Sequence, residues 1–431
     1  MSRELQEKLA AAIRKGENTV SLRQAPLPPA SLAGSAPWLV SWFAAASIYP
    51  KIMYRLRSGS EILFALGKCG MLSSDFDSAS AACFRGVCFP GAEMTGVWEG
   101  FEKSFDHAPQ LLLTAGDGGL EAEIYEADPY ARSELLDALS NPPDEPLEAA
   151  LKTDPAIASP AAALILAHHP AEDEYRRAFD QVMEFIGADE SLKTVLARRT
   201  DLCCPMSARG ALERLLETKN PGYLYFYAPD ESRFYAGVSP ERLFRRNGPL
   251  VETEALAGTS VNTAPACRRF ESSRKNLNEN SLVSDWIARA LKPVTESVKV
   301  SRQEIIPSGS LLHMKRAIQG RLTNPATSDL DLIRLLHPTP AMAGCPQSAA
   351  LELISRCENF SRGWYAGTMG VQRGARSEYC VLIRGIAVSG DRRSIFAGSG
   401  IVSRSDCRQE YRELDAKLAS ILENFGLAKK R

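Results

Sequence analysis

Strand-like runs follow one another in this chain through Gly and Ser turns, with no helix separating successive pairs at a regular interval. Ile52 to Leu56, Glu61 to Leu66 and Gln110 to Thr114 read as early strands, and Tyr223 to Tyr227, Tyr379 to Val388 and Ser394 to Ala397 as later ones. Helical spacing marks Ala178 to Ile186, Ser281 to Leu291, Ala349 to Cys357 and Gln409 to Phe425. Because the two kinds of run do not alternate as βαβ units of about 30 residues, a Rossmann sheet or a barrel of repeated units is not what the pattern suggests. The pattern predicts an α+β fold with large antiparallel sheets. No internal repeat and no Gly-x-x-x-x-Gly-Lys phosphate loop is present.

At about 150 residues per domain, 431 residues allow one to three units. Pro142, Pro143, Pro146, Pro155 and Pro160 mark 141–170 as a connector. It separates a sheet-rich part, 1–140, from a region, 171–431, that holds the stronger helices.

The 51 Lys and Arg balance 52 Asp and Glu, with no basic block beyond Lys429, Lys430 and Arg431. A nucleic-acid partner is therefore not expected. The most apolar stretch, Trp38 to Tyr49, stops at Pro50 and Lys51, short of the roughly 20 residues of a membrane span, and reads as core. The N-terminal Ser2 to Lys15 mixes charges at helical spacing, unlike a signal peptide, and predicts a cytoplasmic chain. Ten cysteines without a Cys-x-x-Cys pair read as reduced core residues, and five histidines show no zinc-binding spacing.

Glu410, Glu413 and Lys417 stand at i, i+3 and i+7 and share one face of the last helix, beside the apolar stripe Leu414, Leu418, Ile421 and Phe425. Paired carboxylates in a first helical turn can hold a hard cation; the commoner reading of the spacing is a solvated face with a Glu413 to Lys417 ion pair. Phe396 to Val402 reads as a strand entering a Gly-x-Gly turn, and Ala257-Gly258-Thr259 follows another strand-like run. Glycines there let backbone N–H groups approach an anion, though a tight turn explains either. Arg384, inside the apolar run Cys380 to Ile386, either points to water or pairs with an anion. Lys193 and Glu241 are anonymous on pattern alone.

Nine stretches in order resemble the chorismate-utilising enzymes: Lys193-Thr-Val-Leu-Ala-Arg198, Ser239-Pro-Glu-Arg-Leu243, Thr253-Glu-Ala-Leu-Ala-Gly-Thr259, Lys275-Asn-Leu-Asn-Glu-Asn280, Leu336-His-Pro-Thr-Pro-Ala341, Trp364-Tyr-Ala-Gly367, Cys380-Val-Leu-Ile-Arg384, Ala397-Gly-Ser-Gly-Ile-Val402, and Glu410-Tyr-Arg-Glu413 with Lys417. They cover residues 170 to 425. The resemblance implies an anthranilate synthase component I-like fold in one large α+β unit, with two facing antiparallel sheets wrapped by helices and the site between them. His337-Pro-Thr-Pro and Lys193 resemble the isochorismate and salicylate branch. Pro37-Trp38-Leu39, Tyr49-Pro50 and Asn280 are similar to its menaquinone-pathway members.

That resemblance implies an enzyme acting on chorismate with Mg²⁺ to make isochorismate; a monomer is the expected state, which the sequence itself does not fix. Lys193 matches the general base and Glu241 the general acid, which demand opposite pKa shifts. Glu279 and Glu410 match the Mg²⁺ ligands, with Glu413 one turn along. Gly258, Thr259 and Gly400 would add N–H groups around the ring carboxylate. Arg384 and Tyr365 match the grip on the enolpyruvyl carboxylate, with His337 and Lys417 lining the same pocket. A salicylate synthase that also eliminates pyruvate, or a non-catalytic chorismate-binding protein, stays open at this point. Cys407, Gln347 and Gly385 depart from the usual Pro, basic residue and Ser.

Overall fold

The computed structural model describes residues 3–15, 19–22, 37–57, 59, 61–69, 81–117, 119–125, 129–140 and 161–429. Its described strands form two sheets, of thirteen and nine strands. Every pairing is antiparallel except that of Leu427–Lys429 with Ala161–His169. The larger sheet runs from the early hairpins through Lys51–Arg55, Tyr223–Asp230, Arg233–Ser239 and Gly385–Ser389 to Arg392–Ile401 and Lys193–Cys203. The smaller one holds Leu311–Leu322, Leu250–Val261, Arg242–Asn247, Arg376–Val381 and Thr368–Arg373, and is completed by Ala82–Val87 and Ser104–His107. Residues before 140 thus enter both sheets.

Strand alternation sorts side chains between two cores. Met53, Phe64 and Phe226 point toward Leu9, Phe43, Leu215 and Leu418 of the covering helices. Their neighbours Tyr54, Tyr225 and Tyr227 point inward and join Phe244, Met369 and Tyr379 of the smaller sheet. This inner core is rich in tyrosine, and each buried hydroxyl needs an acceptor. Tyr54 donates to the Met369 carbonyl at 3.3 Å, Tyr235 to Leu382 at 3.1 Å and Tyr225 to Ile383 at 3.1 Å. The last two carbonyls belong to the segment that passes from one sheet to the other.

That crossing corrects one expectation. Tyr379 to Val388 is two strands in different sheets, Arg376–Val381 and Gly385–Ser389, because Arg384 takes φ 60° and turns the chain. Phe396 to Val402 holds no Gly-x-Gly turn; the strand continues to Ile401. Of the expected connector, 141–160 lies outside the described residues, and Ala161–His169 is a strand. Only Cys88, Cys204 and Cys380 of the ten cysteines are buried, and Cys203 is exposed. No described helix is long and apolar enough to cross a membrane.

One buried ion pair ties these strands to the segments around the inner cleft. Arg362 donates to Glu358 at 2.8 and 2.5 Å and to the carbonyls of Met342 and Val195, each at 2.8 Å. Glu358 also accepts the Ala197 N–H at 2.8 Å. Their side chains are 2% and 3% exposed. Arg362→Met strands a buried carboxylate, and urea unfolding is expected to show a loss of about 3–5 kcal/mol. The Arg362→Met/Glu358→Met double variant should lose less.

Candidate active site

A cleft opens between the sheets. Val195, Phe396, Gly398 and Gly400 line it from the larger sheet, and Gly258, Thr259 and His313 from the smaller. The helix Cys407–Asn424, capped by Asp406 accepting the Gln409 N–H, supplies Glu413 and Lys417. The helix Arg274–Leu291, capped by Ser273, supplies Glu279. Asn280, the next residue, is buried and donates to the carbonyls of Ala255, Ala257 and Met314. It thereby holds the bulge at Gly258, where φ is +84° and the pairing with the His313 strand slips by one residue.

A chain of alternating charges runs along one wall. Lys193 Nζ lies 3.0 Å from Glu279 Oε1; Lys275 Nζ lies 3.6 Å from Glu279 Oε2 and 2.9 Å from Glu410 Oε1. Burial alone would raise Glu279, but Lys193 and Lys275 outweigh it and hold the carboxylate down at about 2. Burial pushes Glu410 up, with Glu413 and Glu279 adding to the push against Lys275. Glu410 Oε2 is buried without a partner. At Gly400 a Cβ would fall 2.1 Å from Glu279 Oε1 and 2.8 Å from Lys193 Cε, so only glycine admits this pair.

Among the described residues, no three His, Cys, Asp or Glu side chains are gathered to hold a metal. Glu279 and Glu410 converge instead on the Lys275 ammonium, while Glu413 pairs with Lys417 at 2.7 Å. Lys275 occupies the place of a cation between two hard carboxylates, one with a spare oxygen. The donor chemistry fits a divalent ion that completes its shell from substrate and water.

Glu241 follows the strand Arg233–Ser239. Its N–H is accepted by the Ser239 hydroxyl at 3.2 Å, which donates in turn to the Val381 carbonyl at 2.6 Å. The side chain is buried. Desolvation first, and Glu254 second, push it up to about 8, against Lys193 and Lys417.

Arg384 is 7% exposed, lines the cleft and has no carboxylate within ion-pair distance among the described residues. Burial lowers it to about 10, still charged at neutral pH. Tyr365 stacks on Phe396 with centroids 5.4 Å apart. Its hydroxyl lies against Gly398, where a Cβ would meet it at 2.8 Å. Lys417 donates to the Gly398 carbonyl at 2.6 Å. The Gly385 departure has a steric cause: a Cβ there would meet the Tyr225 hydroxyl at 2.2 Å.

Nine of the twelve expected site residues line the cleft, and Lys193 and Glu410 join them through Glu279 and Lys275. His337 does not. It is buried, with Nε2 3.4 Å from the Cys88 carbonyl, and Ala341 and Met342 beyond it reach the cleft. His313 was missed. Its Nδ1 sits 3.4 Å from the Gly258 carbonyl and 3.3 Å from the Thr259 hydroxyl. Burial lowers it to about 3, so it is neutral, and Nε2 is buried without a partner. Donation from Nδ1 to Gly258 leaves Nε2 an acceptor for a ligand hydrogen. The only sequence signal was a histidine inside the apolar run Leu311 to Met314.

The raised Glu241 has a stability consequence with a definite sign. Its folded value near 8 exceeds the ordinary 4.5, so the folded state keeps a proton that the unfolded chain releases between those values. Wild-type stability is therefore lost as pH rises through that window. Glu241→Gln should be more stable than wild type by a few kcal/mol at pH 8 and nearly equal to it at pH 4.5, read by urea unfolding at both.

The description of chorismate binding enzymes matches residues 70–426. The isochorismate synthase MenF of Pasteurella multocida is 29% identical over 404 residues, 90% of this chain and 91% of that protein. MenF of Haemophilus influenzae is 36% identical over 256 residues, 57% of this chain and 59% of that protein's length. The solved structure of MenF from Escherichia coli, a menaquinone-specific isochorismate synthase, superposes with a TM-score of 0.75 at 25% identity, over 98% of this chain and 99% of that one. Anthranilate synthase component I of Streptococcus pneumoniae, 18% identical with a TM-score of 0.61, shares the fold. A profile match over so much of the chain, on a cleft of this construction, makes this protein a member of the chorismate binding enzymes.

Proposed function

We propose that the chain is an isochorismate synthase that converts chorismate to isochorismate with Mg²⁺, and that it serves menaquinone formation. The observation that carries the reading is the pairing, on one cleft, of a buried lysine with a buried carboxyl held in its acid form. The near full-length likeness to two MenF proteins supports the isochorismate branch and the menaquinone assignment.

Chorismate brings two carboxylates, a C4 hydroxyl and a C2 carbon open to attack. Arg384 takes the enolpyruvyl carboxylate, with Tyr365 beside it as a hydroxyl donor. The ring carboxylate lies toward Glu279 and Glu410, where the N–H groups near Gly258, Thr259 and Gly400 supplement its binding. Glu279 and Glu410, with Glu413 one helical turn along, would hold Mg²⁺, which would supply positive charge for binding the ring carboxylate. Lys193 Nζ, in its neutral amine form, then takes a proton from water as the water oxygen bonds to C2. The ring double bonds shift, the C4–O bond breaks, and the departing oxygen takes the proton of Glu241. His313 Nε2 accepts a hydrogen bond from a substrate hydroxyl and orients it.

Incubating the protein with chorismate should yield isochorismate alone, identified by chromatography, with turnover lost in EDTA. Pyruvate release with salicylate would place it among salicylate synthases instead. Lys193→Ala and Glu241→Gln are each expected to lower kcat by about 10²–10⁴-fold while substrate binding changes little. The wild-type rate should fall as pH rises past about 8, where Glu241 loses its proton.

A further inference from the structure

Arg57 lies upstream of the residues that carry the family match, 70–426, yet it reaches the acid side of the cleft. Its guanidinium grips Glu254 with both nitrogens, at 2.5 and 2.6 Å, and donates to the Pro240 carbonyl at 2.6 Å. Pro240 immediately precedes Glu241. The other face of the same carboxylate is used as well: Glu254 Oε1 accepts the N–H of Arg242, the residue immediately after Glu241, at 3.0 Å. The Glu254 side chain is 1% exposed and that of Arg57 17%. The peptide groups on both sides of the acid are therefore held by one buried, bidentate pair, and half of it comes from the N-terminal part of the chain.

We propose that Arg57 is a positioning residue for the reaction: by clamping Glu254 and the Pro240 carbonyl it fixes the backbone that aims Glu241 into the cleft. The inference rests on the reading of Glu241 as the acid. The pair also sets local charge. Glu254 favours the protonated form of Glu241, whereas Lys193, Lys417 and Arg57 oppose it, and Arg384 and Tyr365 share the same field. An acid displaced by about 1 Å loses rate in the protonation step without losing ground-state binding, which separates kcat from KM.

The test is steady-state kinetics of the full chain with chorismate and Mg²⁺ across pH 6 to 10, with thermal unfolding alongside. Arg57→Met is expected to lower kcat roughly 10- to 100-fold with KM within about threefold. Arg57→Lys, which keeps the charge and one contact, should recover at least a tenth of the wild-type rate, about the step expected for one bidentate contact. Glu254→Gln, which keeps the side-chain shape and serves as the second variant should Arg57→Met fail to fold, should move the alkaline limb of the kcat/KM profile to lower pH. Wild-type kcat and an unmoved limb in these variants, with Glu241→Gln inactive, would overturn the clamp and leave the acid in place. Full turnover in Glu241→Gln would overturn the acid assignment and the clamp with it.

Discussion

Buried charge must be paired, and the chain Lys193, Glu279, Lys275, Glu410 is where that requirement shapes the molecule. Each member comes from a different place in the fold: the first residue of a sheet strand, two positions on one helix, and the first turn of the last helix. They meet only if both helices pack against the sheet edge at Gly400, where no side chain intervenes. The Asn280 amide locks the same helix onto the Gly258 bulge. The arrangement therefore specifies helix placement as strongly as the apolar packing around it does. The inner aromatic core adds its own links, with the Tyr54 hydroxyl donating to the Met369 carbonyl from one sheet to the other.

Local periodicity was enough to find the longer helices, such as Glu172–Ile186, Arg274–Leu291 and Cys407–Asn424, and a minority of the described strands, since burial on one face imposes a period that the residues must show. The shared face of Glu410, Glu413 and Lys417 followed in the same way, and the 2.7 Å pair of Glu413 with Lys417 forms as the spacing suggests, but on the cleft and not on a solvated face. What spacing could not show is the partner across the cleft. Lys275 and Glu279 are i and i+4 on a helix, an ordinary surface pattern, and only tertiary packing turns their face inward against Glu410. Arg384 was ambiguous for a related reason. The alternation around it implied one strand, while the positive φ that redirects the chain between sheets leaves no mark in residue type.

The histidines show the limit most sharply. His337 stands in the motif that resembles the family, but its ring meets the Cys88 carbonyl and does not line the cleft. His313 stands in an unremarked apolar strand and presents a free ring nitrogen there. Both are buried and neutral, so neither burial nor charge separates them. The difference is that His313 lines the cleft and His337 does not, a property of the second sheet's register and of the bulge at Gly258.

The two buried carboxyls of the cleft titrate in opposite directions under the same desolvation. Glu279 has two ammonium groups within 3.6 Å and stays charged; Glu241 has none that close and faces the carboxylate of Glu254, so it keeps its proton. Burial supplies the force in both cases, and the placement of lysines decides its sign. A cleft of this design can offer a fixed anion to a cation and an acid to a leaving group at one pH. Exchanging the roles would require moving a lysine between elements rather than changing either glutamate. The chemistry is therefore written into the packing of helices on the sheet more than into the identity of the carboxyl groups themselves.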